Sequence, residues 1–275
     1  MQKRKVKISV ADPAGNITIF VHDRFDRSEY AKVAEQLLAM EEFAAEQLAF
    51  VLDAPECGRA DGRMEMCGLE FCGNATRSFG LMLARELGIR GEGKVFVDVS
   101  GTDEILTVEV NTDSNYTRVR MPEYKSVSTV DMHSLFAECK EPVTAVDFGG
   151  IVHYILRDVE ATRESFEKIK AFVYSVSNPP AFGAMFYDSA AEKLTPVVYV
   201  KDVDSTYFEG SCASGTASCA IAFGTGRPDG EYKFTFPQPA GTIDASAEVR
   251  NGKVTAAYIE GLVSLNEPVS VELML

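Results

Sequence analysis

Two cysteines, one in each half of the chain, are followed by nearly the same run of residues. The first frame covers residues 70–76 (EFCGNAT) and the second covers residues 209–217 (EGSCASGTA). In both frames small, turn-forming residues come directly after the cysteine, and helix-forming sequence follows. A thiol at a helix N-terminus lies beside unpaired backbone amides, which lower its pKa and bind anions. The repeat predicts two equivalent elements, each presenting a thiol.

The segments around the two frames follow a common order of strands and helices. In the first half, strands are predicted at 6–10, 16–21, 48–52, 94–99, 104–110 and 116–121, with a capped amphipathic helix over 28–40. In the second half, strands are predicted at 145–148, 152–156, 184–187, 197–200, 233–236, 245–251, 253–261 and 269–275, with a helix over 164–173. The predicted fold class is therefore α+β, with two similar lobes related by internal duplication.

Composition excludes several classes of protein. A net charge of −14 over 275 residues argues against a nucleic-acid surface, which needs concentrated Lys and Arg. No apolar stretch is long enough for a signal sequence or a membrane span, so a cytoplasmic location is expected. The six cysteines are then expected to be reduced thiols. The expected partner is a small molecule, and the oligomeric state is left open, a homodimer included.

A pair of thiols suits the removal and return of a proton at the α-carbon of an amino acid. The carbanion beside an ionised carboxylate is poorly stabilised, and a cofactor such as pyridoxal phosphate normally delocalises its charge. Without a cofactor, the protein must offer preorganised amides and a dry site. Stereoinversion also needs a base on one face of the carbon and an acid on the other. A thiolate and a thiol can fill both roles and exchange them.

The two frames resemble the paired signatures of the cofactor-independent diaminopimelate epimerase and proline racemase superfamily. Residues 12–16 (DPAGN) and 46–47 (EQ) also match that superfamily's substrate-site elements. The resemblance implies two lobes, each a barrel-like, mostly antiparallel sheet around a central helix, with the active site in the cleft between them and no cofactor. It implies a first lobe over 1–122, to which a final strand over 264–275 returns, and a second lobe over 123–263.

The chain departs from diaminopimelate epimerases where those enzymes hold the distal end of their substrate. Residues 151–153 (IVH) replace an Asn-Pro-His element, residues 203–205 (VDS) replace a Glu-Arg pair, and residues 64–68 (MEMCG) replace an asparagine-containing stretch. A second zwitterionic head group would therefore lack its partners, which disfavours diaminopimelate. The chain is more similar to the histidine racemases that feed opine-type metallophore biosynthesis.

The similarity to histidine racemases rests on seven short segments. They are residues 15–19, 28–31, 46–47, 70–76 and 152–154, Glu209, and residues 238–241.

The resemblance implies a set of site residues. Cys72 and Cys212 would exchange a proton with the α-carbon, and amides at 73–74 and 215–216 would bind the carboxylate. Glu46 and Glu209 would hold the ammonium or the imidazole. The substrate-binding residues expected are Asn16, Glu46, Gln47, Gly73, Asn74, His153, Glu209, Ser214, Gly215 and Thr216.

Other readings of the cysteines and histidines compete with this one. Cys57, Cys139 and Cys219 suit small buried apolar positions, as most intracellular cysteines do. The spacing of Cys57, Cys67 and Cys72 does not match a zinc site. His22 and His133 have no surrounding motif and are interpreted as structural. Two alternative functions stay open: diaminopimelate epimerase or a racemase of another amino acid, and a non-catalytic ligand-binding protein of the same fold.

Overall fold

The computed structural model describes residues 3–56, 58–137 and 141–275. Cys57 and Cys139 lie outside the described residues. The chain divides into two compact units. Unit 1 comprises the residues up to Arg120 together with Glu260–Leu275, and unit 2 comprises Met121–Ile259. Within the described ranges, no helix is long and apolar enough to cross a membrane.

Most elements of the fold are strands. The strands are β1 (Lys3–Asp12), β2 (Thr18–Val21), β3 (Gln47–Leu52), β4 (Gly62–Met66), β5 (Glu92–Val99), β6 (Leu106–Asn111), β7 (Tyr116–Arg120), β8 (Ser126–Val130), β9 (Val143–Asp147), β10 (Val152–Arg157), β11 (Ala181–Asp188), β12 (Lys193–Val200), β13 (Ser205–Phe208), β14 (Gly230–Pro237), β15 (Thr242–Arg250), β16 (Lys253–Leu262), β17 (Ser264–Leu265) and β18 (Val269–Met274). The helices are α1 (Tyr30–Leu38), α2 (Gly73–Glu86), α3 (Arg163–Val176) and α4 (Ala213–Gly224).

In unit 1 the strands form a mostly antiparallel sheet in the order β7-β6-β5-β4-β3-β2-β1. The pairs β2–β3 and β4–β5 are parallel. Both C-terminal strands pair with β1, and β18 does so from Lys3↔Met274 to Ile8↔Val269. Alternating burial along β6 shows one face of the sheet turned to the core, as period-2 patterning requires.

In unit 2 six strands form a sheet in the order β13-β12-β11-β10-β9-β8. The strands β10 and β11 are parallel and are separated along the chain by α3, whereas the other pairs of this sheet are antiparallel. The strands β14, β15 and β16 are neighbours in the order in which they occur in the chain. The unit therefore combines one βαβ crossover with antiparallel hairpins.

Each unit holds one helix that is buried along most of its length. In α2 every residue from Gly73 to Ala84 is buried, and the helix packs on β5, β6 and β7. The helix α4 is apolar on nearly all sides and packs on β15, β14, β9 and β10. A helix without a polar face is stable only when it is enclosed. The α+β class with a central helix is confirmed, but the sheets are open and are not closed barrels.

Candidate active site

In unit 1, Cys72 is the residue that caps the N-terminus of α2. Its extended backbone (φ −130°, ψ 109°) precedes the first helical residue, and its Sγ accepts a hydrogen bond from the Ala75 amide at 3.4 Å. The Cys72 carbonyl accepts from the Thr76 amide at 2.9 Å and from Thr76 Oγ1 at 2.7 Å. The thiol is therefore held where the first turn presents its amides, as the sequence predicted.

In unit 2, Cys212 caps α4 in the same conformation (φ −129°, ψ 111°). Its carbonyl accepts from the Thr216 amide at 2.9 Å and from Thr216 Oγ1 at 2.5 Å. The Gly215 amide lowers the pKa of the Cys212 thiol, but the Cys212 sulfur does not accept a capping hydrogen bond like the one that Cys72 accepts from Ala75. The two frames thus share backbone geometry and the bond from a threonine hydroxyl to the cysteine carbonyl, but they differ in the hydrogen bond to sulfur. The Thr216 amide is engaged by the helix itself, so Thr216 acts here through its hydroxyl.

The repeat extends one turn further along both helices. Ser78 Oγ donates to the Asn74 carbonyl at 2.9 Å, and Ser218 Oγ donates to the Ser214 carbonyl at 2.8 Å. Each frame therefore has a cysteine, a threonine four residues on and a serine six residues on, and both hydroxyls bond to the backbone one turn earlier. This local equivalence goes beyond the match of residue types.

Around Cys72 the structure brings together residues from two separate strand ends. Asn16 Oδ1 lies 3.8 Å from Cys72 Sγ, and Asn16 Nδ2 donates to Glu46 Oε2 at 3.2 Å. Asn16 is buried, whereas Glu46 is exposed. The amides of Glu46 and Gln47 both donate to the Ile17 carbonyl, at 3.0 and 3.1 Å. The structure thus places Asn16 beside the first frame and Glu46 beside Asn16, while Gln47 follows at the start of β3.

The Asn74 side chain points into unit 1. Its Oδ1 accepts from Arg77 Nε at 3.3 Å, and both residues are buried. Arg77 Nη1 also donates to Thr117 Oγ1 at 3.4 Å and to the Leu262 carbonyl at 3.3 Å. Gly73 and Asn74 therefore offer the site the backbone of the first turn, while the Asn74 amide group belongs to the interior.

Around Cys212 a buried glutamine holds the start of the helix. Gln238 Oε1 accepts from the Cys212 amide at 2.9 Å, and Gln238 Nε2 donates to Thr216 Oγ1 at 2.8 Å. Burial raises the pKa of the Cys212 thiol well above its usual value, and the neighbouring Glu209 carboxylate raises it further. The Gly215 amide and the Ser214 hydroxyl act in the opposite direction.

The second frame also contacts a buried histidine. His153, on β10, is completely buried, and its Nε2 lies 2.9 Å from Ser214 Oγ. Ser214 Oγ in turn lies 3.7 Å from Cys212 Sγ. Burial lowers the pKa of His153 to about 3, so the imidazole is neutral at physiological pH. The structure thus brings Glu209, Ser214 and His153 to the second thiol.

The sequence patterns did not predict three residues that contact the two frames. Thr76 and Arg77 belong to the first helix, and Gln238 lies in a segment used only as a point of similarity. The spacing of four residues between each cysteine and a threonine is a signal that could have identified Thr76. Gln238 gives no local signal, because its two partners lie more than twenty residues earlier in the chain.

Cys67, Cys219 and His22 lie away from the two frames' capping positions and take structural positions. Cys219 is completely buried in α4, and burial raises its pKa. Cys67 is partly buried, and burial likewise raises its pKa, with a contribution from Glu70. His22 Nε2 lies 2.8 Å from Ser9 Oγ, which ties β1 to the end of β2. Over the described ranges, no group of three or more His, Cys, Asp or Glu side chains could hold a metal ion.

Two solved structures resemble this fold. A hydroxyproline epimerase from Agrobacterium vitis, with bound trans-4-hydroxy-L-proline, has a TM-score of 0.67 at 11% identity and covers 98% of this chain and 93% of its own. A methylitaconate delta-isomerase has a TM-score of 0.62 at 12% identity and covers 99% and 96%. At these identities the likeness concerns the fold.

Sequence relatives are more specific. A histidine racemase from Staphylococcus aureus strain Mu50 is 31% identical over 248 residues, which are 88% of this chain and 89% of that protein. A histidine racemase from Fusobacterium nucleatum subsp. nucleatum is 34% identical over 227 residues, 77% of this chain and 81% of that protein. The model of the histidine racemase CntK N-terminal domain matches residues 5–267. The chain belongs to that family, and it is an isomerase of the racemase class.

Proposed function

We propose that this protein interconverts L- and D-histidine by moving a proton between two thiols and the α-carbon, with no cofactor. Cys72 and Cys212 are the two acid–base groups. The observation that carries the proposal is the equivalence of the two frames, each with a cysteine capping a buried helix in the same conformation. The relatives named histidine racemase support the choice of substrate.

In the proposed reaction one cysteine is a thiolate and the other a thiol when substrate binds. The thiolate takes the α-proton, and the C–H electron pair stays on carbon beside the carboxylate. The thiol then delivers its proton to the opposite face, which leaves the inverted amino acid and exchanges the roles of the two sulfurs. The Ala75 amide, which donates to Cys72 Sγ, and the Gly215 amide, which lowers the pKa of the Cys212 thiol, favour the thiolate forms.

The carboxylate of the substrate needs donors that are fixed in advance. The first turns of α2 and α4 present backbone amides near Gly73, Asn74, Ser214 and Gly215, and the helix dipoles favour an anion there. Preorganised amides of this kind stabilise the charge that develops as the proton leaves. We assign these positions to the carboxylate, with Asn16 and Gln47 completing the binding surface beside Cys72.

The ammonium group and the imidazole N–H of histidine need acceptors, and we assign these to Glu46 and Glu209. Glu46 is oriented by Asn16, which donates to its Oε2 at 3.2 Å. Glu209 lies three residues before Cys212 and interacts with its thiol. Having one carboxylate near each thiol lets the ammonium and the imidazole find partners on different sides of the α-carbon.

The test follows racemisation and solvent exchange together. Purified protein is incubated with L-histidine in deuterated water, and chiral chromatography with mass spectrometry measures D-histidine and deuterium at the α-carbon. Cys72→Ser and Cys212→Ser should each reduce racemisation by at least about a thousandfold, since a hydroxyl is a far weaker acid than a thiol. Cys219→Ala, which changes a cysteine of α4 outside the frames, is the matched control and should stay active.

A panel of L-amino acids separates the alternatives. Exchange with histidine alone supports the proposal, and preferential exchange with diaminopimelate or proline would replace the substrate while keeping the mechanism. Absence of exchange with every amino acid in the panel would favour a binding protein. Retention of full activity by either serine variant would refute the two-thiol mechanism.

The proposed function also comes with a proposed cellular location and a proposed oligomeric state. We infer that the enzyme works in the cytoplasm, supplies D-histidine for metallophore biosynthesis and forms a homodimer. Cell fractionation tests the location, and light scattering of the purified protein tests the dimer.

A further inference from the structure

A line of three side chains in unit 2 runs from the interior to the second thiol. It starts at His153 Nε2, passes through Ser214 Oγ at 2.9 Å and reaches Cys212 Sγ at a further 3.7 Å. At the inner end, His153 Nδ1 is buried and has no hydrogen-bond partner within the part of the chain that the structure describes. Buried polar atoms in folded proteins nearly always have a hydrogen-bond partner, so this atom needs a structural explanation.

Packing accounts for the missing partner. His153 is level with Gly183 on the neighbouring parallel strand β11. A methyl group on Gly183 would come within 2.3 Å of His153 Nδ1 and within 2.8 Å of Met185 Cε. The imidazole therefore lies directly against the bare backbone of Gly183, and the Met185 side chain closes the same space. A water molecule could reach Nδ1 only if these groups moved.

The lack of a hydrogen-bond partner at His153 Nδ1 determines which tautomer of the imidazole is favoured. A neutral imidazole carries one proton, and a buried N–H without an acceptor is rarer in folded proteins than a buried acceptor without a donor. The proton of His153 is therefore favoured on Nε2, where Ser214 Oγ can accept it. Having accepted that bond, the Ser214 hydroxyl has its own hydrogen left to donate, and Cys212 Sγ lies within reach.

We propose that Ser214 is a positioning residue, whose hydroxyl is held by His153 as a donor to the sulfur of Cys212 and so stabilises the thiolate. The role rests on the proposed function, because it concerns the turnover in which Cys212 is the base. It answers a physical need, since burial and the neighbouring Glu209 both oppose a negative charge on this sulfur. Neither the proton of His153 nor that of Ser214 leaves its residue during the reaction.

The first frame lacks this arrangement. The residue two positions after Cys72 is Asn74, whose side-chain oxygen accepts from Arg77 and points inward. A polar side-chain atom beside Cys72 Sγ is Asn16 Oδ1, an acceptor, at 3.8 Å. The two thiols are thus similar in backbone and different in side-chain partners, so the role of Ser214 belongs to Cys212 alone.

The first test reads the reactivity of Cys212 without any substrate. The protein is alkylated with iodoacetamide across a pH series, and peptide mapping measures the rate at Cys212 separately from the rate at Cys72. Ser214→Ala should move the pH profile of Cys212 upward and slow its alkylation on the order of tenfold below the midpoint, which is the effect of losing a bond to a charged group. The rate at Cys72 should not change.

Two matched variants separate positioning from structure. Ser214→Thr keeps the hydroxyl and should restore the profile, whereas Ser218→Ala removes a hydroxyl of the same helix that bonds only to backbone and should leave the profile unchanged. An unshifted profile in Ser214→Ala, or an equal shift in Ser218→Ala, would overturn the proposal.

The second test uses the unchanged protein and needs no variant to fold. The chain has three histidines, so protein labelled with ¹⁵N-histidine gives three imidazole patterns. His153 should show the neutral Nε2–H tautomer throughout the range from about pH 5 to pH 8, since its pKa is about 3. Observation of the Nδ1–H tautomer would refute the proposed hydrogen bond from His153 Nε2 to Ser214 Oγ. Because neither measurement needs turnover, failure of the racemase assignment would be seen separately in the exchange assay.

Discussion

At the scale of single residues, small polar side chains hold the backbone around each of the two cysteines. Thr76 and Thr216 each donate to the carbonyl of their cysteine. Gln238 bridges the Cys212 amide and the Thr216 hydroxyl, and it is buried. Such contacts fix where a sulfur lies relative to the first helical turn, and this position is what a proton-transfer group requires.

The contribution of Gln238 can be measured against a second glutamine. Gln238→Met keeps the volume but leaves the Cys212 amide and the Thr216 hydroxyl without their partner, so we expect a loss of about 2–4 kcal/mol in unfolding free energy. Gln36 also bridges two backbone groups, those of Met274, at the surface. Gln36→Met should cost less than about 1 kcal/mol, because water replaces its bonds. Urea unfolding measures both, and equal losses would contradict this account.

The buried carboxylate of Glu65 makes the stability of unit 1 depend on pH in a predictable direction. Glu65 accepts from Arg27 Nε at 3.0 Å, from Arg63 Nη2 at 2.8 Å and from Tyr30 Oη at 3.2 Å. These bonds, that of Arg27 first, outweigh burial and lower the pKa of Glu65 from 4.5 to about 2. Because the folded pKa is below the unfolded one, the stability that it contributes is present above about pH 4.5 and is lost as the pH falls toward 2.

Replacing the Glu65 carboxylate tests the direction of this dependence of stability on pH. Glu65→Gln should lower the unfolding free energy by about 2 kcal/mol at pH 7, and the difference from the parent protein should shrink between pH 4.5 and pH 2.5. The exposed pair of Glu272 with Lys3 provides the control, and Glu272→Gln should change stability by less than about 0.5 kcal/mol. Thermal unfolding across the pH series measures both. A difference for Glu65→Gln that is constant with pH would contradict the prediction.

At the scale of elements, the alternation of apolar and polar residues predicted most strands. The strands that it did not predict have physical features that hide the alternation. The sequence patterns did not predict β4, β8 and β13. The strand β4 carries the buried Glu65, whose charge hides the apolar alternation, while β8 and β13 are edge strands with little burial. Helix α1 also begins later than predicted, because residues 27–29 form a single turn of 3₁₀ helix. Local sequence identifies elements best when one face of them is buried.

Close packing of α2 on its sheet gives an element-scale prediction. A methyl group on Gly80 would lie 2.5 Å from Val108 Cγ1 and 2.6 Å from Val108 Cβ, on β6. Gly80→Ala should therefore destabilise the protein by about 1–3 kcal/mol, although alanine favours helix by about 1 kcal/mol. Adding Val108→Ala should make the effect of Gly80→Ala smaller, because it removes the clash. Denaturant unfolding of the double-mutant cycle measures the coupling, and simple additivity would contradict the packing argument.

At the scale of the whole molecule, the two ends of the chain meet in one sheet. The C-terminal β18 pairs with β1 in unit 1, after the chain has passed through all of unit 2. Leu273 is buried in the same cluster as Val6 and Ile8, whereas Met274 is 44% exposed. The stability of unit 1 therefore depends on residues at the end of the sequence.

Neighbouring positions of β18 test this dependence. Leu273→Ala should cost about 2–4 kcal/mol and speed amide hydrogen exchange in β1. It should leave exchange in β11 of unit 2 unchanged. Met274→Ala is the matched control and should stay within about 0.5 kcal/mol of the parent. Equal exchange in β1 for both variants would show that the C-terminal strand does not stabilise unit 1.

The sequence by itself determined the two cysteine frames, the helices that they begin and the resemblance that points to histidine racemisation. These features are local, because a cap and the helix after it are specified by residues within one or two turns. The resemblance named Asn16 and His153 as site residues, but only the tertiary structure decided which frame each one contacts, and only it brought Gln238 to the Cys212 amide. These contacts depend on strand order and register, which bring together residues far apart in the chain. Such contacts produce no periodic pattern in the sequence. For that reason the asymmetry between two similar frames appeared only in the folded protein.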